Sequence, residues 1–168
     1  KEQKAWSAKT FNDTSWQKVI AEDIDATLKL TPKRHNTVKS VQELAPVNIT
    51  EIDKGVVIFD MGQNMVGVPR IKVPMHKEGT LKIRFAEMLN QEGRLYTKNY
   101  RGAVSTDYYK AKEDGQIAYQ PTFTFHGFRY VELSGFDASA TPDESWVTGI
   151  VQHSDYKLNV EFSSSHEK

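Results

Sequence analysis

Hydrophobic and polar side chains alternate in short runs through most of the chain. In the clearest run, Leu81, Ile83 and Phe85 occupy every second position, and the cations Lys82 and Arg84 stand between them. A period of two places successive side chains on opposite faces of a β-strand, and it does not suit an amphipathic helix. This run therefore predicts a strand with one buried face.

Similar runs predict seven further strands. They are Val56–Phe59, Val66–Val73, Thr106–Ala111, Thr122–Phe125, Arg129–Leu133, Val147–Val151 and Leu158–Phe162. Turn residues separate these runs and no helical periodicity lies between them, which favours an all-β fold, an antiparallel β-sandwich, over a βαβ fold. Pro69 lies inside one run, and because proline cannot donate to a strand ladder, that strand is expected to be an edge or to be bulged there.

The first part of the chain has little periodicity. Phe11–Trp16 is a polar turn between two aromatic residues, and Thr31-Pro32 begins a stretch typical of an extended connector. We expect residues 1–45 to be an irregular extension, consisting of the tail of a preceding module and a linker, and residues 46–168 to be the sandwich.

Composition narrows the possible functions. The chain has 168 residues, no cysteine, and 22 Lys and Arg against 22 Asp and Glu. Without cysteine there can be no disulfide framework, thiolate zinc site or cysteine nucleophile. Balanced, scattered charge argues against a nucleic-acid surface, and no run is long and apolar enough for a membrane helix. The chain starts at Lys1 rather than methionine, so we expect further residues upstream, including any export signal.

Three carboxylates could take part in glycoside hydrolysis, which uses two facing carboxyl groups. Glu87 ends the clearest strand, Glu132 lies within another, and Asp107 begins a tyrosine-rich run. The ordinary alternative for Glu132 is a solvent-facing strand residue paired with a neighbouring cation, and it is the favoured interpretation because most charged residues are exposed.

The segment Phe123–Tyr130 is the densest aromatic stretch of the chain. Its His126 and Arg129 could hydrogen-bond a sugar while a ring stacks on the sugar, or they could tie down backbone inside an aromatic core, which is the favoured interpretation. The loop containing Tyr96, Tyr100 and Arg101 is open to both interpretations, as a partner or glycan contact or as a solvated loop.

Taken in order, these segments resemble the β-sandwich domain of bacterial α-L-rhamnosidases. Asp60–Gly67 is similar to the family's D-x-G-Q-N-x-x-G motif, and Ala86–Leu89 to its A-E-x-L motif. Gly93–Tyr109 resembles G-x-L-Y followed by N-x-R and T-D-x-Y, and Phe123–Glu132 resembles F-T-x-H-G-F-R-Y-V-E. Upstream, Phe11–Trp16 resembles the F-D-D-S-x-W turn that closes a sugar-binding-like module.

The resemblance implies a concanavalin-like, jelly-roll sandwich that is one domain of a larger bacterial enzyme. In that family the catalytic acid and base belong to a separate inverting α/α-barrel, and nothing in this chain matches it. The implied role is a non-catalytic domain that supports or walls the barrel, ending at the junction to it. A module that binds rhamnose-containing glycans is the alternative, and a self-contained β-sandwich glycosidase is a third.

The prediction includes no catalytic residue, no cofactor and no metal in this chain. Its partner would be the catalytic barrel of the same polypeptide, with a glycan as a second candidate partner and with neither nucleic acid nor membrane. The candidate sugar or interdomain contacts are Tyr96, Tyr100, Arg101, His126 and Arg129.

Overall fold

The computed structural model describes residues 5–156 and 159–165. The chain divides into two compact units, Lys1–His35 and Asn36–Lys168. In the first unit, residues 5–35 form turns and irregular backbone, among them a turn in which the rings of Phe11 and Trp16 lie 5.5 Å apart. The second unit therefore begins before residue 46, where the sandwich was expected to start.

The regular structure of the second unit is almost entirely β-strand. Its strands are β1 (Val38–Leu44), β2 (Asn48–Asp53), β3 (Val56–Met75), β4 (Thr80–Ala86), β5 (Met88–Leu89), β6 (Leu95–Tyr96), β7 (Thr106–Lys110), β8 (Gly115–Tyr119), β9 (His126–Ser134) and β10 (Val147–Ser154). Two short 3-10 helices cover Lys98–Tyr100 and Glu144–Trp146. In the part of the chain that is described, no helix is long and apolar enough to cross a membrane.

The long strand β3 connects the two layers of the sandwich. Its first part, Val56–Asp60, pairs with β2 and β9, and β4 and β7 continue that layer in the order β2-β3-β9-β4-β7. Its second part, Gly67–Met75, pairs with β10 and β8, and β1 pairs with β10, so the other layer has the order β1-β10-β3-β8. Every pairing is antiparallel, which confirms the predicted antiparallel sandwich.

The core lies between the two layers and follows the predicted alternation. Leu81, Ile83 and Phe85 of β4 are fully buried, together with Phe59 of β3 and Val131 of β9. Each of these side chains is the inward member of a pleated strand. The aromatic and aliphatic side chains of both layers thus form one continuous apolar interior.

A second apolar cluster lies on the outer face of the layer that contains β4. Ile58, Ala86 and Leu95 are buried there, and the half-buried Leu89 and Tyr130 pack against them. The small hairpin of β5 and β6 supplies Leu89 and Leu95, and it contacts β9 and β4. This hairpin therefore covers part of a sheet face that would otherwise meet water.

Some strand predictions need correction. Thr122–Phe125 was predicted as a strand, but it is irregular and the strand begins at His126. Of Leu158–Phe162, Leu158 lies outside the described residues and residues 159–162 form no strand. Pro69 lies in β3 and pairs with Gly149 of β10 on one side of the strand. On the other side, the pairing with β9 ends at Gly67 and the pairing with β8 begins at Ile71, so among the described strands none pairs with Pro69 there.

Candidate functional site

Residues of the family-like motifs meet around the carboxylate of Glu87, just after β4. Its Oε1 accepts a hydrogen bond from Asn64 Nδ2 at 3.4 Å, and its Oε2 accepts one from Asn99 Nδ2 at 3.2 Å. Asn64 reaches this position because β3 bulges after Asp60, where Gly62 has a φ of 79°. Such a positive φ favours glycine, which explains the glycine of this motif.

Tyr100 belongs to the same cluster. Its hydroxyl donates to the carbonyl of Gly127 at 3.3 Å, which links the 3-10 helix to β9. Burial, with a smaller contribution from the charge of Glu87, raises the pKa of Tyr100. The phenol therefore stays protonated at neutral pH and acts as a donor within the fold.

His126 is mostly buried at the start of β9. Its ring stacks on Phe85 with centroids 4.1 Å apart, and its Nε2 lies 3.1 Å from both carboxylate oxygens of Asp107. Only 11% of the His126 side chain and 15% of the Asp107 side chain are exposed. The imidazole thus fixes β7 to the start of β9.

Arg129 forms a bidentate ion pair with Asp60. Its Nε and Nη2 donate to the two carboxylate oxygens at 2.8 and 2.9 Å, and its guanidinium lies 5.2 Å from the centre of the Tyr130 ring. The hydrogen bonds from Arg129 lower the pKa of Asp60, with a further contribution from the Gly62 amide. This pair spans the bulge and holds β3 to β9 where their ladder is interrupted.

The two remaining candidates differ in exposure. Tyr96 is half-buried in β6, whereas Arg101 is exposed at the end of the 3-10 helix with a φ of 57°, an uncommon conformation for a non-glycine residue. Of the five candidate contacts, His126 and Arg129 lie in β9, and Tyr100 is hydrogen-bonded to that strand. Arg101 is the exposed one of the five.

Glu132 differs from its expected position. It was predicted to face solvent, but it is only 5% exposed, and its Oε1 accepts a hydrogen bond from Arg84 at 2.7 Å. The carboxylate lies beside Ile58 on the outer face of the sheet, the face on which the β5–β6 hairpin packs. The pairing with a cation was predicted correctly, and the exposure was wrong because alternation alone does not reveal a covering hairpin.

A shallow cleft of about 140 Å³ opens on this outer face. It is lined by Asn48, Thr50, Ile58, Asp60, Leu89, Gly93 and Tyr130. The polar side of this cleft could not be predicted from the sequence, because β2 was not among the predicted strands. Its lining combines hydroxyl, amide and carboxylate groups with an aromatic ring.

No group of three or more histidine, cysteine, aspartate or glutamate side chains in residues 5–156 and 159–165 could hold a metal ion. In the motif cluster, the Glu87 carboxylate accepts hydrogen bonds from two side-chain amides, and the Tyr100 hydroxyl donates to a backbone carbonyl. These hydrogen bonds of Glu87 and Tyr100 link neighbouring strands and loops of the sandwich.

Comparison with known proteins identifies the family. Residues 50–153 match the family model described as the bacterial alpha-L-rhamnosidase concanavalin-like domain, which is more than half of the chain. The chain belongs to this family. The chain is 56% identical over 163 residues, 97% of its length, to an alpha-L-rhamnosidase of Formosa agariphila, and 46% identical over 167 residues, 99% of its length, to one of Alteromonas sp. (strain LOR).

Solved structures agree with this assignment. The alpha-L-rhamnosidase of Dictyoglumus thermophilum superimposes with a TM-score of 0.86 at 32% identity over 98% of this chain. The Streptomyces avermitilis alpha-L-rhamnosidase, solved in complex with L-rhamnose, gives 0.83 at 38% identity over 95%. The chain spans 18% and 16% of those two structures and 18% of the relatives from Formosa and Alteromonas. In its relatives, the concanavalin-like domain is thus a small part of a much larger chain.

Proposed function

We propose that this concanavalin-like domain is a non-catalytic part of an α-L-rhamnosidase, which would hydrolyse terminal α-L-rhamnosyl residues at a separate barrel domain. The match of residues 50–153 to the family's β-sandwich model carries this proposal. The domain would support the barrel or wall its substrate cleft.

The state of the carboxylates supports a non-catalytic role. Glu132 is paired with Arg84, Asp60 with Arg129, and Asp107 contacts His126. A glycosidase needs one carboxyl group that can donate a proton and a second that can activate water or attack the sugar. Carboxylates that neutralise neighbouring cations and brace strands are poorly suited to either task.

The test is an assay of the isolated chain on an aryl α-L-rhamnoside. The proposal predicts no turnover above the background of buffer. Turnover that is abolished by Glu87→Gln or Glu132→Gln, in variants that retain the wild-type circular dichroism spectrum, would overturn it and favour a self-contained glycosidase.

A second candidate function is the binding of rhamnose-containing glycans. The cleft beside Tyr130 favours it, because its volume of about 140 Å³ suits a single sugar ring and its lining combines Asn48, Thr50 and Asp60 with apolar side chains. A 6-deoxy sugar presents a methyl group that an aromatic or aliphatic wall can accept.

Isothermal titration calorimetry with L-rhamnose and rhamnosylated oligosaccharides tests this candidate. Binding in the cleft predicts a saturable heat at millimolar sugar that is lost on Thr50→Val or Asn48→Leu and is retained in Arg101→Ala, a variant outside the cleft. Heat that is absent from the wild type, or equal in all four proteins, would rule out the cleft as a sugar site.

A further inference from the structure

Four large apolar side chains on β7 and on segments next to it are exposed. Phe123 is fully exposed, Val104 is 79% exposed, Phe125 68% and Tyr108 62%. We call these four residues the β7-side patch. They contribute nothing to the apolar interior, which already contains buried phenylalanines from three strands.

Two contacts place Phe123 and Phe125 beside β7. The segment that carries them begins after Tyr119, whose ring lies 4.8 Å from that of Tyr109 in β7. It ends at His126, which lies 3.1 Å from the carboxylate of Asp107 in the same strand. The segment is therefore fixed to β7 at both of its ends.

The remaining members of the patch lie on β7 or directly before it. Tyr108 occupies the outward position between Asp107 and Tyr109, and Val104 precedes the strand by two residues. β7 is the outermost strand of its layer in the described part of the sheet. The patch is thus carried by a strand at a sheet edge and by a segment anchored to that strand, and unpaired edges are normally covered or charged.

Groups of exposed apolar side chains mark interaction surfaces. The two phenylalanines are held on an anchored segment, so a partner would bind them without first ordering a mobile loop. We propose that the β7-side patch is the surface on which another domain of the same polypeptide docks. This proposal rests on the proposed function, since it assumes that a catalytic domain accompanies this one.

Two observations favour a domain of the same polypeptide as the partner: the small area of the patch, and the small share of its relatives' length that this chain spans. A stable complex between separate proteins buries about 800 Å² on each partner, more than four side chains provide. A tethered domain meets its partner at an effective concentration of the order of millimolar, so a smaller patch is enough. The chain spans only 18% of its relatives from Formosa and Alteromonas, which leaves most of such a polypeptide available to cover it.

Thiol labelling of the full-length polypeptide tests the proposal. The chain has no cysteine, so Thr124→Cys places a single thiol in it, between Phe123 and Phe125, without removing either ring. Ser40→Cys in β1, at the outer edge of the other layer, is the matched exposed control. Labelling rates are read from the mass of the peptide that contains each thiol.

We expect the thiol at position 124 to react at least about tenfold more slowly than the one at position 40, equivalent to about 1.4 kcal/mol of docking. Adding Phe123→Ser and Phe125→Ser should restore the rate at position 124 and leave position 40 unchanged. Equal rates at both positions in the intact polypeptide would overturn the proposal.

Two other outcomes would also overturn it. Protection that disappears on tenfold dilution of the protein would indicate a second copy of the chain, and protection that requires added L-rhamnose would indicate a sugar site. The readout does not use enzyme activity. Protection at position 124 in a polypeptide without rhamnosidase activity would support the docking surface and refute the proposed function. Rhamnosidase activity without protection at position 124 would support the proposed function and refute the docking surface.

Discussion

The pair of Arg84 and Glu132 offers a quantitative test of the covered sheet face. Replacing Arg84 with methionine keeps most of the side-chain volume and removes the charge that faces Glu132 Oε1 at 2.7 Å. The Glu132 side chain is 7% exposed, so the variant leaves a carboxylate out of water without a counter-ion.

The expected cost follows from the burial of both groups. Breaking a fully buried ion pair on one side costs about 3–5 kcal/mol. The Arg84 side chain is 31% exposed, so water already screens part of the interaction, and we expect a loss of about 2–3 kcal/mol in the free energy of unfolding. The double variant Arg84→Met/Glu132→Leu places two apolar side chains beside Ile58, and it should lie within about 1 kcal/mol of the wild type.

Urea unfolding of the wild type, both single variants and the double variant measures these values in one cycle. Glu132→Leu alone should cost less than Arg84→Met alone, because the long arginine side chain can turn its charge toward water. The coupling energy should be about 2 kcal/mol. If Arg84→Met lowers the free energy of unfolding by less than about 0.5 kcal/mol, on the scale of a surface pair, the burial of Glu132 by the β5–β6 hairpin is refuted.

Three further predictions concern the packing of the sandwich. Gly67→Ala should lower the free energy of unfolding, measured in urea, by about 3 kcal/mol or more, because the added Cβ would collide with the carbonyl oxygen of Ile150. The control Gly102→Ala, whose added Cβ would have no atom within 4 Å, should change it by less than about 0.5 kcal/mol. Equal effects would contradict the pairing of β3 with β10. His126→Ala should cost about 2–4 kcal/mol through the lost stack and the unpaired Asp107, and a neutral result would show that the ring is not packed. Because Arg129 lowers the pKa of Asp60, the folded state binds fewer protons there, so the stabilising contribution of Asp60 is complete above about pH 4 and is lost as pH falls through the lower folded value. The stability difference between wild type and Asp60→Asn should therefore shrink from pH 6 to pH 2.5, and a constant difference would refute this assignment.

The core strands could be predicted because burial of one face leaves a pattern in the sequence. Leu81, Ile83 and Phe85 point inward in the structure as their spacing indicates. The edge strands leave no such pattern, since β1 is exposed at six of its seven residues and β2 at four of its six. Strand formation at these edges depends on hydrogen bonds to a neighbouring strand, which a single sequence does not encode locally.

The error at Thr122–Phe125 has a different cause. Threonine and phenylalanine favour strands, but this segment lies between the parts of the chain that pair with β3, and its aromatic side chains point away from the core. Intrinsic propensity was therefore overridden by the topology of the sheet. The same segment supplies half of the proposed docking surface.

The candidate site could be predicted only in part. The motif residues were recognised by their resemblance to a family, but their contacts depend on the fold. His126 and Asp107 are separated by 19 residues in sequence and meet because β7 and β9 lie on either side of β4. The bulge after Asp60 brings Asn64 to Glu87, and nothing in the local sequence indicates that distance.

The central claim is that this domain takes no part in the chemistry of the polypeptide to which it belongs. The most direct measurement is kcat of the full-length polypeptide carrying Glu87→Gln, on an aryl α-L-rhamnoside, per mole of folded protein. Glutamine can still accept the hydrogen bond from Asn99, so the account predicts a kcat within a few-fold of the wild type. A correctly folded variant whose kcat falls by about 10²–10⁴, the range expected for loss of a general acid or base, would contradict it.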